Sequence, residues 1–172
     1  TWMLSGNSPL PGPRFIRPIR WLVALLGSEV IPFTLAGVAA GNVSQGHRRM
    51  GGKFEVTTEN YAAQLAANGV ILSSDERKKR IVDGIAALVA GKDLAVKTDE
   101  ALLETLVFLT EYPTAILGSF DAGYLALPAE VLVTVMRHHQ KYFSVNDGAG
   151  KLAAHFVAVM NIAGDPDGIV QH

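Results

Sequence analysis

The chain has 172 residues, of which 49% are hydrophobic and 18% charged, and its formal net charge is −1. This length and apolar content predict about one domain with a packed core, and the charge excludes a wholly basic nucleic-acid-binding module. Any contact with RNA must come from a local cationic patch. The chain contains no cysteine, which excludes disulfides and thiolate chemistry and fits a reducing, cytoplasmic location.

The first part of the chain predicts irregular structure followed by short buried strands. Residues 1–13 are rich in proline and glycine and predict an irregular lead-in segment. Two apolar runs, over 19–26 and 30–39, are typical of strands buried on both faces, with short helices as the alternative. We also expect Trp21 to lie in the core. A glycine-rich loop is predicted over 41–52 and a strand over 54–57.

Three amphipathic helices are predicted in the rest of the chain. The first begins with a capping box, Ser73 and Glu76, and ends near Gly91. The second begins after Thr98 and is limited by Pro113, and the third begins near Pro128. Their predicted inward faces are Ile81, Ile85, Leu88 and Val89; Leu102, Leu103, Leu106 and Leu109; and Val131, Leu132, Val135 and Met136.

Three strands complete the pattern. They are predicted over 114–117, 143–145 and 155–159, and residues 146–148, Asn-Asp-Gly, predict a turn between the last two. Helices and strands do not alternate strictly, so the sequence predicts an α+β fold with a mixed or antiparallel sheet and packed helices. We expect one domain over residues 1–172.

The glycine-rich segment GNVSQGHR has the spacing of a phosphate-binding loop but lacks its chemistry. That motif needs a lysine followed by serine or threonine, and His47 and Arg48 stand in those places. No helix is predicted after it, so nucleotide binding is not expected. His47, Arg48 and Arg49 instead form a cationic loop and are candidates for contact with RNA or a neighbouring domain. The alternative is a loop whose glycines serve only to permit turns.

Two further basic segments are ambiguous. Arg77–Arg80 is the most basic run, but a helix spreads four consecutive residues through about 300°, which favours a solvated helix face. Within it we expect pairs of Glu76 with Arg80 and of Lys79 with Asp83. The other segment contains the candidate residues Arg14, Arg17 and Arg20. Trp21 beside them could add stacking to contacts with RNA, and pairing of the arginines with carboxylates is equally plausible.

The segment MRHHQKYF, residues 136–143, contains many side chains that could take part in catalysis or binding. Adjacent histidines diverge by about 100° on a helix and cannot chelate one metal together, so no metal ligand is assigned. No nucleophile stands with a base, so no catalytic residue is assigned. The helical pattern predicts that His139 and Phe143 pack into the core. Arg137, Gln140 and Lys141 are predicted to face outward, and with His138 they are contact candidates.

Four stretches of the sequence together resemble the β subunit of bacterial glycyl-tRNA synthetase. They are RFIRPIRWLVALLG, GNVSQGHR, LTEYPTAILGSFDAGYLALP and LPAEVLVTVMRHHQKYFSVNDGAGKLAAHFVAVMN, and they occur in the family's order over almost the whole chain. The departures are modest. Arg49 stands where the family commonly has an aromatic residue, and residues 67–81 replace a more acidic version. The chain stops before the family's later Gly-Asn-Glu segment.

The resemblance implies part of an enzyme with two α and two β subunits that joins glycine to its tRNA with ATP. In that family the α subunit holds the class II active site, with ATP and Mg²⁺, and no cofactor is expected in this chain. The β subunit mainly engages tRNA, and its N-terminal region resembles the editing-domain-like module of the phenylalanyl enzyme's β subunit. The expected partners are the α subunit, tRNA-Gly and the remaining β-subunit domains, with no membrane.

The role that the resemblance implies is that of an accessory, non-catalytic module of glycine–tRNA ligase that is inactive alone. Two other functions stay open. One is an editing-type hydrolase for mischarged tRNA, which needs a closed polar pocket, for instance around His47 or His139. The other is a pure scaffold between domains, which a large exposed apolar patch would favour.

Overall fold

The computed structural model describes residues 19–166 and 168. The chain divides into two compact units, Thr1–Gly69 and Val70–His172, called here the N-terminal unit and the C-terminal unit. The lead-in segment 1–13 lies outside the described residues, as do Arg14 and Arg17. The expectation of a single domain over the whole chain stays a prediction.

The N-terminal unit is built from short strands and one short helix. Its elements are β1 (Leu22–Val23), β2 (Leu25–Leu26), β3 (Glu29–Val30), β4 (Thr34–Leu35), β5 (Val38–Gly41), β6 (Val43–Gln45), β7 (Lys53–Glu55) and α1 (Tyr61–Ala67). Three antiparallel hairpins, β2–β3, β4–β5 and β6–β7, account for most of the pairing, and β1 lies parallel to β5.

The apolar runs of this unit form strands, as predicted, but burial on both faces is wrong. The β4–β5 hairpin turns at Ala36 and Gly37, which both have positive φ, as a type I′ turn requires. Tight hairpins break each run into strands of two to four residues, which cannot bury both faces within the unit. Leu26 is 75% exposed and Phe33 is also exposed. Trp21 is 43% exposed, so its predicted place in the core is wrong.

The C-terminal unit is an antiparallel sheet with helices. Its elements are α2 (Ser74–Val89), β8 (Leu94–Val96), α3 (Glu100–Leu109), β9 (Pro113–Ser119), a 3₁₀ helix (Ala122–Ala126), α4 (Ala129–Thr134), a π-helix (Val135–Gln140), β10 (Phe143–Asp147) and β11 (Leu152–Asn161). The strand order is β8-β10-β11-β9, with every neighbouring pair antiparallel. The predicted α+β class is confirmed.

Local signals set the ends of α2 and α3 where the sequence predicts them. The Ser73 hydroxyl accepts a hydrogen bond from the Glu76 amide at 3.2 Å, and Gly91, with a φ of +72°, follows α2. The Asp99 carboxylate accepts one from the Leu102 amide at 3.0 Å and begins α3. These side chains satisfy amides that a helix leaves without partners in its first turn.

The two arginines of the basic run on α2 serve the fold. Arg77 donates to three backbone carbonyls, those of Ile71, Leu72 and Val107, so its expected solvation is wrong. Arg80 donates to the Pro113 carbonyl and lies over the Tyr112 ring, so its expected pairing with Glu76 is wrong as well. Between them, Lys78 and Lys79 are exposed, and the predicted Lys79–Asp83 pair is confirmed.

The core of the C-terminal unit joins α2 and α3 to the sheet. Its buried residues are Ile81, Leu102, Leu103, Leu106, Val107, Phe143, Val145 and Val157. Phe143 is 4% exposed, as predicted. Leu109 is exposed, and the predicted inward face of α3 is wrong at this position because Val107, four residues after Leu103, takes the inward place. In the described part of the chain, no helix has the length and apolar character needed to cross a membrane.

Candidate functional site

The segment MRHHQKYF, residues 136–143 and called here the signature segment, leaves helical geometry near its end. Helix α4 continues into the π-helix Val135–Gln140, and Lys141 then adopts the left-handed conformation with a φ of 60° and a ψ of 38°. The Tyr142 amide donates to the Met136 carbonyl at 2.9 Å, and the Lys141 ammonium donates to the His138 carbonyl at 3.1 Å. These two bonds close the helix and turn the chain into β10.

The inward face of this helix differs from the predicted one. Met136 is buried and Leu132 is half-buried, whereas Val131 and Val135 are exposed. His139 is exposed too, so its predicted place in the core is wrong. Residues 131–136, VLVTVM, are apolar on nearly every side, so their periodicity does not select one face. The wider π turn then rotates the residues that follow away from an i,i+4 stripe.

Arg137 forms an ion pair within the fold, although its side chain is 39% exposed. Its Nε and Nη2 atoms both donate to the Asp99 carboxylate, and Nη1 lies 3.1 Å from His138 Nε2. The hydrogen bond from Arg137 is the main reason that the pKa of Asp99 is lowered, and the same bond raises the pKa of Arg137. The predicted outward position of Arg137 is met in part, since the side chain is 39% exposed, but its guanidinium also ties the π-helix to the N-cap of α3.

A small cavity lies beside this ion pair. It has a volume of about 150 Å³ and is lined by Lys97, Thr98, Asp99, Leu102, Val133, Arg137, Tyr142, Phe143 and Ser144. The carboxylate and the guanidinium in its wall already bond to each other, which satisfies both charges. This arrangement suits a structural link between elements better than the activation of a water or a nucleophile.

The residues of the segment that point to solvent are His138, His139, Gln140 and Lys141. We call His138, Gln140 and Lys141 the signature corner. These three contact candidates are exposed and lie within one turn of the chain. The ion pair of the neighbouring Arg137 with Asp99 and the hydrogen bond from Lys141 to His138 hold this turn in place. Contact with tRNA or a neighbouring domain stays a prediction for each of them.

In the N-terminal unit, the glycine-rich loop is held by backbone bonds around His47. His47 is 3% exposed, and its amide donates to the Asn68 carbonyl at 2.9 Å. Its ring Nδ1 accepts from the Arg49 amide at 3.3 Å. Side chains at Gly46 or Gly51 would collide with Asn68, so these glycines permit close packing. His47 thus organises the loop and presents Arg48 and Arg49, which are exposed.

A groove lies elsewhere in the same unit. It has a volume of about 620 Å³ and is lined by Arg20, Trp21, Leu22, Val38, Ala39, Gly41, Asn42, Val43, Ser44, Gln45 and Lys53. Arg20 and Lys53 are exposed. Only Arg20 of these two is a sequence-derived candidate, because Lys53 lies 33 residues further along the chain. The strand predicted over residues 54–57 is the one sequence signal that indicates a place for Lys53 beside a sheet.

Within residues 19–166 and 168, no three His, Asp or Glu side chains gather in a group that could hold a metal ion.

Comparison with known proteins identifies the family. The family described as Glycyl-tRNA synthetase beta subunit matches residues 7–172. The Glycine–tRNA ligase beta subunit of Acidobacterium capsulatum is 49% identical over 154 residues, which cover 86% of this chain and 22% of that protein. The corresponding protein of Bacillus subtilis is 42% identical over 160 residues, covering 92% and 23%. The chain thus spans less than a quarter of the length of these relatives. It belongs to the glycyl-tRNA synthetase beta subunit family.

Proposed function

We propose that this chain is an accessory, non-catalytic module of glycine–tRNA ligase. It supports ATP-dependent ligation of glycine to tRNA-Gly by engaging tRNA and by holding the subunits together. Family membership supports the enzyme, since the relatives carry the name Glycine–tRNA ligase beta subunit. In this proposal the partners are an α subunit, which binds ATP and Mg²⁺, the remaining β-subunit domains and tRNA-Gly, all in the cytoplasm.

The observation that carries the proposal is the backbone of the signature corner. Among the described residues, two non-glycine residues have positive φ, Ala36 and Lys141. A left-handed conformation costs a side chain about 1–2 kcal/mol, and such strain concentrates at functional positions. A π-helix also occurs often at functional sites. The π-helix and the left-handed residue Lys141 follow each other in one segment, and Lys141 is exposed.

The chemistry of the signature corner fits contact with a phosphate backbone. Lys141 supplies a cation, and His138 and Gln140 supply hydrogen-bonding groups in the same turn. Such contacts position RNA without reading its sequence. Arg137 does not add to them, because its charge is neutralised by Asp99.

The proposal is tested by steady-state kinetics of the complete synthetase that carries this chain in its β subunit. Lys141→Gly removes the charge and suits the left-handed backbone, and Lys141→Arg keeps the charge. We expect Lys141→Gly to raise the KM for tRNA-Gly and to leave glycine-dependent ATP–pyrophosphate exchange unchanged, with Lys141→Arg close to the wild type. The isolated 172-residue chain should show no exchange. Exchange by that chain, or an unchanged KM in Lys141→Gly, contradicts the proposal.

A scaffold role has its own support in the C-terminal unit. Tyr124, Leu127, Val131 and Val135 are exposed. Leu127 lies between the 3₁₀ helix and α4, Val131 lies in α4, and Val135 begins the π-helix. An apolar series of this kind is typical of a surface that another protein element covers. Val131→Ser with Val135→Ser should weaken assembly with the α subunit or the remaining β-subunit domains. Normal assembly on size-exclusion chromatography argues against the scaffold role.

The editing alternative has less support. An editing site needs a closed polar pocket, but His139 is exposed and His47 is bound within its own loop. Similarity of the fold to the editing-domain-like module of the phenylalanyl enzyme's β subunit remains part of the proposal, supported by the α+β class.

A further inference from the structure

We propose that the groove of the N-terminal unit binds a single strand of RNA, with one base stacked on Trp21 and phosphates held by Arg20 and Lys53. This inference rests on the proposed function, because it assigns part of the tRNA engagement to a defined surface. It concerns residues well removed in sequence from the signature corner, and the two can be tested separately.

The strand pairing brings the three residues together. Arg20 and Trp21 directly precede β1, which pairs in parallel with β5 through Leu22 and Ala40. Lys53 is the first residue of β7 and pairs with Gln45 of β6. The chain between β5 and β6 is short, so these two pairings place both cations in the wall of one groove.

The charge of the groove favours a polyanion. Among the described residues that line it, two are cationic and none carries a carboxylate. Glu55 lies two residues after Lys53 and on the same side of β7, but it does not line the groove. A groove with cations that follow a backbone is typical of proteins that bind single-stranded nucleic acid.

Trp21 supplies the second feature of such sites. It is a large aromatic residue, yet 43% of its surface is exposed. Stacking of bases on aromatic rings is tolerant of sequence, because every base has a π face. The lining also includes the amides Asn42 and Gln45, which can hydrogen-bond to bases or sugars. At Gly41 an added side-chain atom would meet nothing within 4 Å, so the groove is open to a strand at that position.

The volume is sufficient for the proposed ligand. At about 620 Å³ the groove lies within the range of pockets that hold drug-sized ligands, so it accommodates a base with its sugar and phosphate. A peptide segment of another domain is the competing occupant. The charge favours RNA, and the experiment below separates the two.

The test measures RNA binding by the complete synthetase that carries this chain. The probes are labelled tRNA-Gly and a labelled single-stranded RNA of mixed sequence, about 12 nucleotides long, a length typical of the sites of single-strand-binding proteins. Three variants are compared: Trp21→Leu removes the ring, Trp21→Phe retains an aromatic ring, and Arg20→Gln with Lys53→Gln removes both charges. A thermal melt and size-exclusion chromatography confirm folding and assembly.

We expect Trp21→Leu to weaken binding of the short RNA by about five- to 150-fold and Trp21→Phe to retain most of the affinity. The double charge variant should flatten the slope of log K against log salt by about 1.4, since each phosphate contact on a single strand contributes about 0.7. Equal losses in Trp21→Leu and Trp21→Phe, or an unchanged salt slope, overturn the proposal.

The outcome also separates this inference from the proposed function. If the groove variants bind both RNAs like the wild type and Lys141→Gly binds tRNA more weakly, the groove proposal fails and the proposed function stands. If the groove variants and Lys141→Gly all bind like the wild type, both fail. If the groove variants bind RNA normally but assemble poorly, a protein segment occupies the groove and the RNA proposal is overturned.

Discussion

Arg137 donates two hydrogen bonds to the carboxylate of Asp99, a residue 38 positions earlier in the chain. Asp99 at the same time caps α3 by accepting a bond from the Leu102 amide. One carboxylate therefore joins the start of α3 to the π-helix and fixes the residue that precedes the signature corner. Arg137 therefore links two elements of the fold, and Lys141 is the more exposed of the two cations of the signature segment.

The first prediction concerns the coupling between these two residues. We expect Arg137→Met and Asp99→Asn each to destabilise the chain, and the double variant to lose less than the sum of the two. The reason is that either change alone already breaks the pair. Asp99→Ala should cost about 1 kcal/mol beyond Asp99→Asn, because asparagine still caps a helix and alanine does not. Urea unfolding of the four variants measures these differences, and strict additivity of the pair would contradict the link.

The second prediction is the pH dependence of that link. The pKa of Asp99 is lowered in the folded protein, mainly by the hydrogen bond from Arg137. A lowered folded pKa adds stability that is fully present above the unfolded value, about 3.9, and is lost as pH falls through the folded pKa. The stability difference between wild type and Asp99→Asn should therefore be constant near neutral pH and shrink below about pH 4. Urea unfolding at a series of pH values tests this, and a difference that does not change in acid would refute it.

The third prediction compares two aromatic residues. Phe143 is buried among α2, α3 and the sheet, whereas Trp21 is partly exposed. Phe143→Ala should cost about 3–5 kcal/mol of unfolding free energy, because it removes a ring from a packed core. Trp21→Ala should cost clearly less, since much of its surface is already in water. If chemical denaturation gave comparable losses of unfolding free energy for the two variants, the partial exposure of Trp21 would be contradicted.

The fourth prediction concerns a close contact on the other face of the sheet. Gly118 of β9 pairs with Phe156 of β11, and a side-chain atom at Gly118 would collide with the Phe156 ring. That ring is stacked on Tyr142 with a centroid distance of 4.6 Å, which limits its freedom to move away. Gly118→Ala should cost roughly 1–3 kcal/mol, as overpacking does. Gly52→Ala is the control, because nothing lies within 4 Å of its added atom; equal effects of the two changes would count against the contact.

The features that the sequence predicted well are local ones. Ser73 and Asp99 cap helices through amides three residues away, so a short stretch of sequence contains the whole interaction. The Asn-Asp-Gly turn is similar, since the Asp147 carboxylate accepts bonds from the amides of Ala149 and Lys151. The α+β class follows from the order of such elements.

The features that it predicted poorly depend on distant partners. Nothing near Arg137 in sequence reveals Asp99, so the sequence does not predict that this guanidinium forms an ion pair within the fold. The apolar stretch around Val131 and Val135 contains too few polar residues to show which side faces the core. The predicted burial of Trp21 fails because apolar residues also make up much of a protein surface.

The measurement that tests the central claim most directly is the affinity of the complete synthetase for tRNA-Gly across a salt series. It compares wild type, Lys141→Gly, Lys141→Arg and the control Lys151→Ala, an exposed lysine in the same unit. Loss of one phosphate contact should weaken binding and flatten the slope of log K against log salt by roughly 0.7–0.9 in Lys141→Gly. Lys141→Arg and Lys151→Ala should match the wild type. An unchanged affinity and slope in Lys141→Gly, with the fold intact, would contradict tRNA engagement by the signature corner.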